Sequence, residues 1–217
     1  MRKYDTCFFE RYAQISLENL LGSEFADLLN EDRPDLQSPD GFSIGIEVTR
    51  AMEESKEAAR SLLKEIAGIT PMAEDRDDIS QILENGYGYG LQEGRYIGVK
   101  ELDYWTLALP LKNIIRSKIS KVANGFYGQY RKMGLYVFCK DCLNDAAVYN
   151  TARFAMDLQK MNDIRYDRLY LSEVNCLHVC NLADDLCESS RFMAFPISQE
   201  QRKEFYLKAL WEQFDGA

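Results

Sequence analysis

The run Gly134–Cys139, GLYVFC, is apolar at nearly every position. Successive side chains of a strand point to opposite faces, so such a run must be covered on both sides. A chain that contains it needs helices above and below a sheet, and helical periods flank it. Leu111, Ile115, Ile119, Val122 and Phe126 repeat at helical spacing over about 111–127, and residues 144–161 read as another helix. "DRLYLSE" and "CLHVCNL" supply one or two further strands. Ser198 with Gln201 three positions on is a capping box opening a last helix, whose Phe205, Leu207, Leu210, Trp211 and Phe214 include an apolar side. The expected fold is α/β, a central mixed sheet flanked by helices.

The first 30 residues read as a helix with Ala13, Leu17, Leu20 and Leu21 on one side, interrupted near Gly22-Ser23 before Phe25, Leu28 and Leu29 resume it. Glu10 falls within that stripe. Either it faces inward and needs a partner or a metal, or the helix begins beside it and the acid sits at an exposed N-terminal end. Next comes "DRPDLQSPDGFSIGIEVTR" (32–50). Ser38-Pro39-Asp40-Gly41 has type I turn chemistry. Phe42, Ile44, Ile46 and Val48 then alternate with Ser43, Gly45, Glu47 and Thr49, the period of a strand with one packed face and one carrying small and polar groups. Gly45 leaves space beside Glu47. "RPDLQ" reads as a short partner strand, with Pro34 marking an irregular or edge position. An ideal hairpin pairing Ser38 with Gly41 sets Asp32 opposite Glu47 and Asp35 opposite Ile44. Pro34 argues against so regular a ladder, and Asp35 is preferred as the partner of Glu47.

One domain fits the 217 residues, with a helical insertion at about 51–110. Within it, 51–67 and the acidic "AEDRDDISQILENG" read as helices. "GYGYGLQEGRYIG" lacks a phosphate-loop pattern and reads as a loop or hairpin. The start, "MRKYDTCFFERY", has charges at both ends of a very short apolar piece, unlike a signal peptide, and no apolar run approaches the ~20 residues of a membrane span. A cytoplasmic location is the expectation. The net charge of −9 argues against nonspecific coating of nucleic acid, though not against a local basic patch. Cys139 and Cys142 form a CxxC. Cys176, His178 and Cys180 share one face of a strand, which keeps zinc open, but inert reduced thiols are the plainer reading.

Helix, Pro34-Asp35, turn, strand ending Glu47-Val48-Thr49, lysine-bearing helix and apolar strand together resemble the PD-(D/E)xK, or restriction-endonuclease-like, nuclease superfamily. The resemblance covers about Glu10 to Cys139. It implies an αβββαβ core and hydrolysis of DNA phosphodiester bonds with Mg²⁺ or Mn²⁺. Carried over, Asp35 and Glu47 would be metal ligands and catalytic acids, the Val48 carbonyl a further ligand, and Glu10 the additional acid used by some members. The family's lysine falls at Thr49, which carries no charge. Some members place the lysine on a neighbouring helix, and Lys118 and Lys121 are the candidates, with Lys56 weaker. Lys118 is preferred because it lies about 60° from the apolar stripe, against about 120° for Lys121. A homodimer would suit double-strand cutting. The rival expectation is a degenerate nuclease fold that serves as a binding or structural module.

Overall fold

In the computed structural model of the chain, residues 6–51, 91–92, 95–96, 104–139, 143–173, 175–182 and 192–211 are described. The elements are α1 (Thr6–Leu21), a 3-10 turn (Ser23–Phe25), β1 (Leu29–Asn30), β2 (Leu36–Gln37), β3 (Ile44–Ala51), β4 (Leu91–Gln92) and β5 (Arg95–Tyr96). They continue with α2 (Tyr104–Ala123), β6 (Lys132–Cys139), α3 (Asp145–Gln159), β7 (Arg168–Ser172), β8 (Cys176–Asn181), β9 (Phe192–Pro196) and α4 (Gln199–Trp211). Seven strands form one mixed sheet in the order β1-β2-β3-β6-β7-β8-β9. The pairs β3–β6 and β6–β7 are parallel, and the outer pairs are antiparallel. The Gly/Tyr segment, read as a loop or hairpin, holds the antiparallel pair β4–β5, with Leu91 opposite Tyr96. The helices expected at 51–67 and in the acidic segment lie outside the described residues, except that Ala51 itself ends β3.

The apolar run behaves as its composition requires. Every residue of β6 from Met133 to Cys139 is buried. Tyr136 and Phe138 face a core shared with α1 and α4, through Phe8, Tyr12 and Phe205. Leu135 and Val137 face a second core shared with α2 and α3, through Ile115, Ile119, Val148 and Ala152. Asn144 caps α3 by accepting the Ala147 amide, and Ser198 and Gln201 make the reciprocal capping-box bonds at α4. Among the described residues, no helix is long and apolar enough to cross a membrane.

Two sequence expectations are corrected, one is narrowed and one strand lies where none was expected. The helix does not resume after Gly22: Phe25 and Leu28 are buried, but the chain passes into β1 with Leu29 exposed. Phe126 is not part of the α2 stripe. Gly125, at φ 69°, closes the helix in a Schellman pattern, with Phe126 N–H on the Lys121 carbonyl and Gly125 N–H on the Val122 carbonyl. That reversal sends Phe126 outward and buries Tyr127 in its place. On α4 the inward residues are Phe205, Tyr206 and Ala209, while Leu207 is exposed. Finally, β9 lacks a strand signature because its residues are only half-buried or exposed on a sheet edge; main-chain pairing to β8, not side-chain burial, makes it a strand.

Gly45 is needed for space. A Cβ there would stand 2.7 Å from Tyr130 Cγ and 2.9 Å from Pro34 Cγ. Gly45→Ala is therefore expected to lower stability by about 1–3 kcal/mol through overpacking, read as a fall in the urea midpoint. An unchanged midpoint would show that Tyr130 swings aside without cost.

Candidate active site

The site is built where β2 leaves β3. The turn at Ser38 forms as its residues dictate, with the Gly41 amide on the Ser38 carbonyl at 2.8 Å. The loop does not stop there. The Asp40 carboxylate accepts the amides of Phe42 and Ser43 and the hydroxyls of Ser38 and Ser43, which hold its pKa far below the usual carboxylate range. The connection is thereby lengthened, and Ser38 N–H pairs with the Ile44 carbonyl at 2.9 Å. Leu36 lies opposite Ile46, and Gln37 opposite Gly45. The tight-hairpin register is corrected by three residues. One more step of the observed register sets Asp35, not Asp32, level with Glu47.

Asp35 is held from several directions. Its carbonyl accepts the Glu31 amide at 2.9 Å, and the preceding Pro34 carbonyl accepts Gln37 Nε2 at 3.0 Å. Tyr130 Oη donates to Gln37 Oε1 at 2.7 Å, tying β2 to the loop after α2. The Asp35 side chain then turns back onto β3: Oδ2 accepts the Val48 amide at 2.7 Å, where β2 has ended and no ladder partner follows. In a strand the amide and carbonyl of one residue point to the same side, so the Val48 carbonyl also faces this gap. Asp32, by contrast, is exposed beside Arg33.

Glu47 was expected on a face of small and polar groups. That face is covered by α2, and Glu47 is only 6% exposed. A carboxylate so buried needs a counter-charge. Lys118 supplies it from the middle of α2, with Nζ 2.5 Å from Glu47 Oε1. Leu111, Ile115, Ile119 and Val122 seat α2 on the sheet, and Lys118, at the edge of that stripe, reaches inward past them. Lys121 does not join it: it is exposed, with Nζ 5.3 Å from the centre of the Phe126 ring. Lys56 lies outside the described residues.

Glu10 stands well inside α1, which begins at Thr6, so the exposed-terminus reading is overturned. Its Oε2 accepts Asn30 Nδ2 at 2.8 Å. Its charge is felt at Asp35, whose carboxyl is pushed up to about 7 by burial first, then by Glu47, and to a smaller extent by Glu10. The Val48 amide and Lys118 work in the other direction without cancelling the rise. Glu10, Asp35, Glu47 and Lys118 thus share one electrostatic neighbourhood.

Sequence reasoning missed two tyrosines. The Tyr127 hydroxyl is buried and has no partner at hydrogen-bonding geometry among the described residues. Burial, then the nearby Glu47 carboxylate, raises its pKa. Tyr166 is wholly buried, donates a long 3.5 Å bond to the Lys118 carbonyl, and is likewise raised, by burial first and then by Tyr127. The Gly in "ANGFYG" was the available signal, since a glycine closing the helix reassigns which aromatic turns in.

Among the described residues, no three His, Cys, Asp or Glu side chains gather into a metal-holding group. No protein family, curated protein or solved structure matches this chain.

Proposed function

We propose that the chain is a divergent PD-(D/E)xK-type nuclease that hydrolyses DNA phosphodiester bonds with a divalent cation. The observation that carries this reading is the buried Lys118–Glu47 ion pair, with Asp35 set level with Glu47 by the β2–β3 register and bonded to the next residue's amide. Leaving aside the separate β4–β5 hairpin, the order α1, β1, β2, β3, α2, β6, with the pairs β1–β2 and β2–β3 antiparallel and β3–β6 parallel, supports a restriction-endonuclease-like core. Lys118 on α2 takes the part that Thr49 cannot.

The donor set fits Mg²⁺ or Mn²⁺. Burial, and after it the Glu47 carboxylate, drives Asp35 toward its neutral form, and Lys118 does not cancel that rise. Mg²⁺ keeps several waters and needs only one or two carboxylates, so Asp35, Glu47 and the Val48 carbonyl would suffice. When bound, the cation supplies charge relief at the phosphate and a more acidic water. Glu10 would act from a distance, through Asn30 and its field at Asp35.

The protein's own groups have separable tasks. The Val48 amide fixes one Asp35 oxygen, and the other would be the oxygen offered to the cation. Glu47 orients Lys118. The Lys118 ammonium would hold a phosphate oxygen and offset the negative charge that builds at phosphorus. Tyr127 and Tyr166 close the back of the site against water, which strengthens each charge interaction in front of them.

Purified protein with Mn²⁺ is expected to nick duplex or single-stranded DNA, with EDTA or Glu47→Gln lowering the rate at least about 100-fold. If it cuts neither DNA nor RNA and binds no metal, the reading fails. The direct Lys118–Glu47 bond favours a second reading, because an ion pair that satisfies itself also suits a catalytically silent binding module. Equal and negligible Mn²⁺ affinity in wild type and Glu47→Gln would favour that module.

A further inference from the structure

At the far end of the sheet from β1, a second group of reactive side chains lies outside this site and does not rest on the nuclease reading. Cys176 and His178 are two apart on β8, so both point to the α3 face. Glu173, just past β7, is opposite Cys176, with its amide on the Cys176 carbonyl at 2.8 Å. Glu173 Oε1 accepts the Leu143 amide at 2.7 Å and meets His178 Nε2 at 2.8 Å. A carboxylate acting as acceptor assigns the proton to Nε2. That leaves Nδ1 as the basic nitrogen. His178 is only 5% exposed, and its Nδ1 has no partner at hydrogen-bonding geometry among the described residues. The imidazole is clamped on one nitrogen and open on the other.

Cys176, two residues earlier on the same face of β8, is the reactive group beside the imidazole. Burial opposes a charged imidazole, yet the Cys176 thiol and the Glu173 carboxylate outweigh it and raise His178 to about 9. Cys176 is half-exposed and within reach of a small reagent. Cys180, two residues on, is buried, and its thiol is pushed up to about 12 by loss of solvent, so the two cysteines of one strand face opposite fates. Phe192 of β9 meets the imidazole edge-on, with centroids 6.2 Å apart, which limits ring rotation.

We infer that Cys176, His178 and Glu173 form a thiol-activating triad, with Cys176 as a nucleophile toward small peroxides. His178 Nδ1 takes the thiol proton, and Glu173 steadies the resulting imidazolium. The Cys176 thiolate attacks one oxygen of hydrogen peroxide. The S–O bond forms as the O–O bond breaks, and the departing hydroxide takes the proton from His178 to become water. Sulfur is oxidised by two electrons to a sulfenic acid, and the peroxide is reduced.

The test uses the full chain and resolves each cysteine by peptide mass spectrometry. At pH 7, iodoacetamide is expected to modify Cys176 of the folded protein at least about tenfold faster than Cys176 of the urea-unfolded chain. Hydrogen peroxide with dimedone is expected to label the same residue. His178→Gln, checked for folding by circular dichroism, is expected to lose the advantage. A folded rate at or below the unfolded one marks an ordinary shielded thiol and overturns the proposal, as does an unchanged rate in folded His178→Gln. The wild-type comparison decides by itself if that variant does not fold.

Discussion

Lys118→Met is expected to lower folding stability by about 3–5 kcal/mol, the cost of leaving a buried charge without its partner. The Lys118 and Glu47 side chains are 16% and 8% exposed, so solvent cannot take over the role of the lost ammonium. Methionine keeps much of the packing volume beside Ile115 and Ile119 while removing the charge. The double variant Lys118→Met with Glu47→Leu is expected to recover most of the loss, because an apolar pair no longer carries an uncompensated carboxylate. Urea titrations of wild type, both single variants and the double variant give the coupling energy directly. A loss below about 1 kcal/mol for Lys118→Met would place the pair with solvent-screened surface bridges and remove the reason for assigning it a special role. In the nuclease reading the same substitution also abolishes cleavage, and Lys121→Met, which removes an ammonium lying over the Phe126 ring, leaves cleavage intact.

Asp35 leads to the second large effect, a gain in thermal stability with Mn²⁺ that depends on pH. Burial and Glu47 raise its carboxyl from 3.8 to about 7. The folded state therefore holds the proton more tightly than the unfolded state. That contribution to stability is complete below the unfolded value and is lost as pH rises through about 7. Metal-free protein is thus expected to lose stability from this group between pH 4 and pH 7. A divalent cation binds the deprotonated carboxylate, so it restores most where the proton has gone. At a hundred times its Kd, Mn²⁺ would add about 2.7 kcal/mol, or roughly 5–10 °C in Tm for a chain of this size. The gain is expected at pH 8 and to be much smaller at pH 5. Asp35→Asn keeps an oxygen for the Val48 amide but should lose both the pH slope and the Mn²⁺ gain. Equal shifts at the two pH values, or a full shift in Asp35→Asn, would show that the cation binds elsewhere.

The two effects separate the roles of the three groups. Lys118 pairs directly with Glu47, whereas Asp35 keeps a raised pKa although the Val48 amide and Lys118 both favour its charged form.

Much of this was legible from residue order. "GLYVFC" required a strand between two helical layers, and β6 is such a strand. Ser198 and Gln201 announced the start of α4, and the 3.6-residue period of α2 brought Lys118 toward the sheet and turned Lys121 away. These features depend on local spacing alone, since a helix or strand fixes which side chains share a face whatever surrounds it. Composition could not show that the Glu47 face is buried, because burial depends on which helix returns to cover it. Nor could it show the β2–β3 register. Asp40 lengthens the loop by gathering two amides and two hydroxyls, a set of bonds that no periodicity encodes. A shift of three residues in an antiparallel pair exchanges Asp32 for Asp35 beside Glu47. The identity of the acids was thus written in the sequence, but their meeting was decided by tertiary structure, because the distance between two strands is set by the loop that joins them and the helix that packs across them.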